Sequence, residues 1–172
     1  MTALARWSAL PPLILLTLSA CSSAPRPAAA EESAASAEAE LQAVWNEYSA
    51  GAKAGDVDRL AALFTDSIYF AESGAPTLRT REAFAGFARE ALAAVRILDV
   101  TILPEFTELR GSDVAQYGSY VDVIAMPGQG TIRKYGRYAV IAQRDSAGAW
   151  RIARLTALTD STPAALADST GR

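Results

Sequence analysis

The chain has 172 residues, 51% of them hydrophobic and 20% charged, which suits one globular domain with its own core and excludes a disordered, collagen-like or disulfide-stapled chain. Sixteen Lys and Arg against nineteen Asp and Glu leave a formal charge of -3, so no basic surplus points to nucleic acid. Histidine is absent; catalysis would fall to carboxylates, Tyr, Lys or Arg, and neither a metal nor a cofactor is expected.

Arg6 precedes an apolar stretch from Trp7 to Leu18 that ends in Leu18-Ser19-Ala20-Cys21. This is the grammar of a secretory signal, and the stretch is shorter than the about 20 apolar residues a spanning helix needs. The last four residues resemble the bacterial lipobox, in which the signal is cut before the cysteine and the cysteine is lipidated. That resemblance implies removal of residues 1–20 and attachment to a membrane through Cys21; the alternative is an ordinary cleaved signal with an incidental cysteine. Cys21 is the only cysteine, so no disulfide forms within the chain. Several acyl chains anchor a protein far better than one. Ser22 stands where the lipoprotein family's inner-membrane retention signal would place Asp, which implies the outer membrane, with the domain facing the periplasm.

Residues 21–37 are, apart from Cys21 and Arg26, Ser, Ala, Pro and Glu without a large apolar side chain and read as a flexible tether. Leu41, Val44, Trp45, Tyr48 and Ala52 then recur at helical spacing, predicting an amphipathic helix that ends near Gly55. Asp56 is placed to cap a short second helix carrying Leu60, Leu63 and Phe64. Ser67 to Ala71 reads as a strand and Ser73-Gly74-Ala75-Pro76 as a turn. Thr80 caps a third helix, with Phe84, Phe87, Ala88, Ala91 and Val95 as its buried stripe. Period-two patterning follows: a strand from Val95 to Thr107 bent at Pro104, then strands Val114–Ala125, Thr131–Arg144 and Trp150–Thr159 joined by Gly-rich turns. Residues 160–172 read as a frayed tail.

Three helices before a meander is an α+β order, with helices on one face of a curved sheet. In the Thr131–Arg144 strand, Ile132, Gly136, Tyr138, Val140 and Ala142 share the face expected to meet the helices, while Thr131, Arg133, Tyr135, Arg137 and Gln143 share the other.

The run Ala54-Gly55-Asp56-Val57-Asp58, then Leu63-Phe64-Thr65-Asp66, Gly136-Arg137-Tyr138 and Trp150-Arg151-Ile152-Ala153 resembles the SnoaL-like group of nuclear-transport-factor-2-like (NTF2-like) domains over residues 38–159. The resemblance implies a cone-shaped curved antiparallel sheet on three N-terminal helices, a pocket inside, and frequent homodimerisation across the outer face. Its members include isomerases, dehydratases, cyclases, hydrolases and pure binding domains, so fold alone does not choose among them. Trp45, Tyr138 and Val140 are expected to line the pocket.

Ketosteroid isomerases share this fold, and counting from Gly55-Asp56 their oxyanion tyrosine falls on Tyr48 and their catalytic aspartate on Glu72; ungapped counting back from Gly148-Ala149-Trp150 puts their third group, a protonated aspartate, at Val140. The resemblance thus implies a carboxylate base and a phenol donor without the third member. Tyr48 reads equally as a core aromatic continuing its helical stripe, and Glu72 as a solvated carboxylate beside Ser73-Gly74. Arg133, Lys134, Arg137, Arg151 and Arg154 read as an outer, solvated or dimer-facing surface, with Lys134 alternatively reaching the cone mouth to attract an acidic ligand. Asp122 shares parity with Val114, Tyr120 and Ile124; a solvent-facing strand-end position is the expectation, a buried acid the alternative. Trp45 and Trp150 read as core anchors. The functional expectation is a membrane-tethered domain binding a small apolar molecule or a protein partner in its cone. The rivals are a cofactor-independent isomerase or lyase with Glu72 as base, and a dimerisation module.

Overall fold

The computed structural model describes residues 28–161 of the chain. Cys21 and the signal segment, and residues 162–172, lie outside the described residues. The elements run α1 (Ala28–Ala54), α2 (Val57–Ala61), β1 (Phe64–Glu72), β2 (Leu78–Thr80), α3 (Arg81–Ala94), β3 (Arg96–Arg110), β4 (Asp113–Met126), β5 (Gly130–Arg144) and β6 (Trp150–Ser161).

The expected helix starts are formed by their caps. Asp56 accepts from the Arg59 N–H at 3.0 Å, and Thr80 from the Ala83 N–H at 3.1 Å, each satisfying a donor that the first helical turn leaves free. Helix α1 corrects one boundary. It begins at Ala28, well inside the segment read as a tether, and Ala37 is buried against the core. The reason is that Ala and Glu are strong helix formers, so this run extends a helix nucleated by Leu41 and Trp45 without large apolar residues of its own.

The strands form one six-stranded sheet in the order β2-β1-β6-β5-β4-β3. β3 to β6 are the antiparallel meander the turns predict, whereas β1 lies parallel to β6. This pairing draws Phe64 into β1, opposite Ile152, although Asp66 and Ser67 have little strand preference of their own. The three-residue β2, absent from the sequence reading, exists by pairing its Leu78 and Thr80 with Phe70 and Ser67. At the other end β6 runs past Thr159 because Ser161 still pairs with Tyr135.

The sheet curls at two glycines. A Cβ on Gly118 would collide with the Leu103 carbonyl, beside a register shift at Pro104. One on Gly136 would meet the Leu158 carbonyl oxygen and lie 2.5 Å from the Tyr120 ring. Only a residue without a side chain lets the strands approach so closely, and bulges beside it increase the bend. The concave face covers a core in which Phe64, Phe70 and Phe84 pack ring on ring, with centroids 4.2 to 6.4 Å apart. On β5 the expected sides hold: Gly136, Tyr138, Val140 and Ala142 are buried, and Arg133, Tyr135, Arg137 and Gln143 are exposed.

Candidate functional site in the cone

Four elements converge on one polar cluster. Tyr48 lies on α1 three residues after Trp45, Glu72 ends β1, and Asp122 and Lys134 are direct cross-strand partners on β4 and β5. The Lys134 ammonium donates to Glu72 Oε1 at 2.7 Å and lies 3.2 Å from Asp122 Oδ2. It also lies 5.6 Å from the centre of the Tyr120 ring. The three charged side chains are only 15 to 23% exposed, so the cluster sits inside the cone.

This geometry corrects two expectations. Asp122 is not a solvent-facing strand end, and Lys134 is not on the outer surface. Both have inner parity, and pleating turns alternate side chains to opposite faces. Nor is Lys134 free for an acidic ligand, since two carboxylates already hold it. The other cations do lie outside: Arg137 pairs with Asp160 and Arg151 with Asp145, while Arg133 and Arg154 are exposed.

Two lobes of cavity meet at the cluster, and Tyr48, Phe70, Glu72, Val100, Asp122 and Lys134 line both. The deep lobe, about 50 Å³, reaches Trp45 and Tyr138. The side lobe, about 190 Å³, runs under α2 and α3 among apolar side chains such as Leu60, Phe84, Phe87 and Ile124. Val140 lines neither; it is a core residue at 1% exposure, paired with Gln116. It shares the inner face of β5 with Tyr138 but is sealed by core packing, so the pocket expectation for Val140 does not hold.

The deep end is held by Gln116, which is fully buried. Its Oε1 accepts from Trp45 Nε1 at 2.7 Å and from Tyr138 Oη at 2.9 Å, while its Nε2 donates to Thr107 Oγ1 at 3.1 Å. A satisfied buried network of this kind fixes ring orientations as well as contributing stability. Trp45 and Tyr138 therefore face the cavity as rigid walls, their ring centres 5.3 Å apart.

Burial and the nearby Glu72 and Asp122 carboxylates raise the Tyr48 hydroxyl above its ordinary range, so it stays a neutral donor. Asp122 is raised by burial, partly offset by Lys134 and reinforced by Glu72. For Lys134, burial alone would lower the ammonium, but the charge and hydrogen bond of Glu72, with Asp122, outweigh it and hold it charged. Lys134 bonds Glu72 at the shorter distance, leaving Asp122 the less compensated of the two acids. The site thus combines a neutral phenol donor, a permanent cation and two carboxylates in unlike surroundings, next to an apolar lobe.

The sequence reading missed Gln116 and put Asp122 outside. The signal for Asp122 was present: four rungs from the Met126–Gly130 pair that closes the β4–β5 hairpin, Asp122 stands opposite Lys134. Nothing local marks Gln116, whose partners come from α1, β3 and β5.

The family model of the SnoaL-like domain matches residues 33–156. The chain belongs to this family. Solved structures agree on its NTF2-like fold. A ketosteroid isomerase-like protein from Erwinia carotovora superposes with a TM-score of 0.63 at 14% identity, covering 72% of this chain and 95% of that one. A hexachlorocyclohexane dehydrochlorinase gives 0.66 at 17% identity, covering 83% and 97%. An NTF2-like protein with a cystatin-like fold from Novosphingobium aromaticivorans gives 0.63 at 20%, covering 78% and 88%. Identities this low speak for the fold alone. A search of curated proteins finds no match to this chain.

Proposed function

We propose that this SnoaL-like domain binds a small, mostly apolar molecule inside its cone, with the polar end of that molecule against Tyr48, Glu72, Asp122 and Lys134. The carrying observation is the 190 Å³ apolar lobe opening onto that cluster. Apolar walls with a few convergent polar groups are the usual make-up of a ligand site, and a dry cavity of about 150 Å³ already takes up benzene. Calorimetry and thermal shift of the purified domain against single-ring compounds test the reading, since binding to the folded state alone raises its melting temperature. A panel that leaves both heat and melting temperature unchanged refutes it.

A second reading is favoured by Asp122, which supplies on β4 the second acid that counting had assigned to Val140. Here a carboxylate, Glu72 or Asp122, takes a proton beside a carbonyl, and Tyr48 hydrogen-bonds the developing enolate. Turnover of an enolisable ketone then falls at least about 100-fold in Glu72→Gln or Asp122→Asn. Unchanged turnover in both variants excludes it.

Attachment to the envelope through Cys21, with the domain facing the periplasm of an outer membrane, is part of the same proposal. Lipid labelling and detergent partitioning that are lost in Cys21→Ser support it; a soluble, unlabelled parent protein contradicts it. Pairing of two copies across the outer sheet face is supported by the exposed Leu103, Phe106, Tyr117 and Leu158. Sedimentation tests this, with Phe106→Glu expected to yield monomer and a parent that is monomeric at all concentrations refuting it.

A further inference from the structure

The charges of the cone do not cancel. Glu72 and Asp122 share one ammonium, so the cluster carries one formal negative charge in a place largely removed from water. An uncompensated buried charge is costly and draws a counter-charge or a proton. Burial and the Glu72 carboxylate raise Asp122, the direction in which such a charge is relieved.

Lys134 bonds Glu72 Oε1 and Asp122 Oδ2. Among the described residues no hydrogen bond reaches the other two oxygens, Glu72 Oε2 and Asp122 Oδ1. One aromatic neighbour points to the same sign of charge: the Tyr120 ring already lies 5.6 Å from the Lys134 ammonium. Ring faces attract cations and repel anions. An anionic ligand would face two carboxylates and a lysine already engaged. The one ionic group seated between these acids is an ammonium, the chain's own.

We propose that the occupant of the cone is a small apolar amine, with its hydrocarbon body in the 190 Å³ lobe and its ammonium on the free carboxylate oxygens of Glu72 and Asp122. This rests on the ligand-binding reading above and names the ligand class. One ring and a short link match the volume, and a monocation brings the cluster to neutrality. The groups facing Asp122 are Glu72 from β1, Lys134 from β5, Tyr48 from α1 and Tyr120 from β4. Tyr48 and Tyr120 are both raised and neutral. A bound cation and a proton compete for the Asp122 carboxylate, so binding strengthens as pH rises through its titration.

The experiment is titration calorimetry of the purified domain with benzylamine, benzyl alcohol, cyclohexanone and benzoate, repeated at acid and neutral pH. The expected result is benzylamine bound at least about tenfold more tightly than either neutral probe, with benzoate weakest. Asp122→Asn should cost the amine about tenfold, and benzyl alcohol markedly less, because only the amine loses a charge-assisted partner. Glu72→Gln serves the same purpose if the first variant does not fold, with circular dichroism as the check. A neutral probe bound as tightly as the amine, or benzoate bound best, overturns the amine while leaving the cone a ligand site. No binding by any probe overturns both readings.

Discussion

Replacing Gln116 with leucine tests how the deep wall of the cavity is held. Leucine keeps nearly the same volume but removes the acceptor for two buried donors, Trp45 Nε1 and Tyr138 Oη. A stranded buried donor costs about 1–3 kcal/mol, so the pair costs about 2–6 kcal/mol, against which added buried hydrocarbon returns about 1–2 kcal/mol. Taking the middle of each range, the net loss is about 2.5 kcal/mol, a drop in melting temperature of several degrees for a domain of this size. Urea unfolding and calorimetry measure it, with a lower midpoint at unchanged slope marking a loss of stability alone. Adding Trp45→Phe and Tyr138→Phe removes both stranded donors, and the triple variant should be less destabilised than the sum of its parts, since exchanging both partners for apolar groups is far cheaper than removing one. A Gln116→Leu protein within about 0.5 kcal/mol of the parent, the range of an ordinary surface change, refutes the reasoning.

Gly136→Ala forces a methyl group onto the Leu158 carbonyl and the Tyr120 ring; overpacking of this kind costs about 1–3 kcal/mol, and equilibrium unfolding at parental stability would show that the bend tolerates a side chain. Asp56→Ala removes the α2 cap and is expected to cost about 1 kcal/mol in the same assay. Because Asp122 is raised in the folded state, the native protein binds more protons than the unfolded chain between the ordinary aspartate value and the raised one. This group's contribution to stability therefore falls as pH increases through that window. Unfolding midpoints of the parent and Asp122→Asn compared across mildly acid pH should diverge accordingly; parallel curves would place Asp122 in water.

Much of the fold was legible because its signals are local. Asp56 and Thr80 cap helices through their own next turns, the apolar spacing of Leu41, Trp45 and Ala52 defines a helix face, and the turns at residues 127–130 and 145–148 join strands whose alternation is plain. The start of α1 was misjudged because propensity alone carries an alanine-rich helix past the residues that anchor it. β2 and the first residues of β1 escaped notice because their hydrogen bonds come from distant partners, and strand formation depends on the neighbour as much as on the segment.

For the site, the sequence by itself fixed which residues could do chemistry, since without histidine only carboxylates, phenols and cations remain, and parity on β4 and β5 already held Asp122 and Lys134 on one face. Only the tertiary structure decided that the inner face of β5 meets Glu72 at the end of β1, that Gln116 joins Trp45 to Tyr138, and that Val140 is sealed into the core. Those contacts span up to 71 residues and depend on how two glycine bends and several bulges curl the sheet into a cone. Curvature sums small register shifts over many strands, and no local pattern encodes that sum.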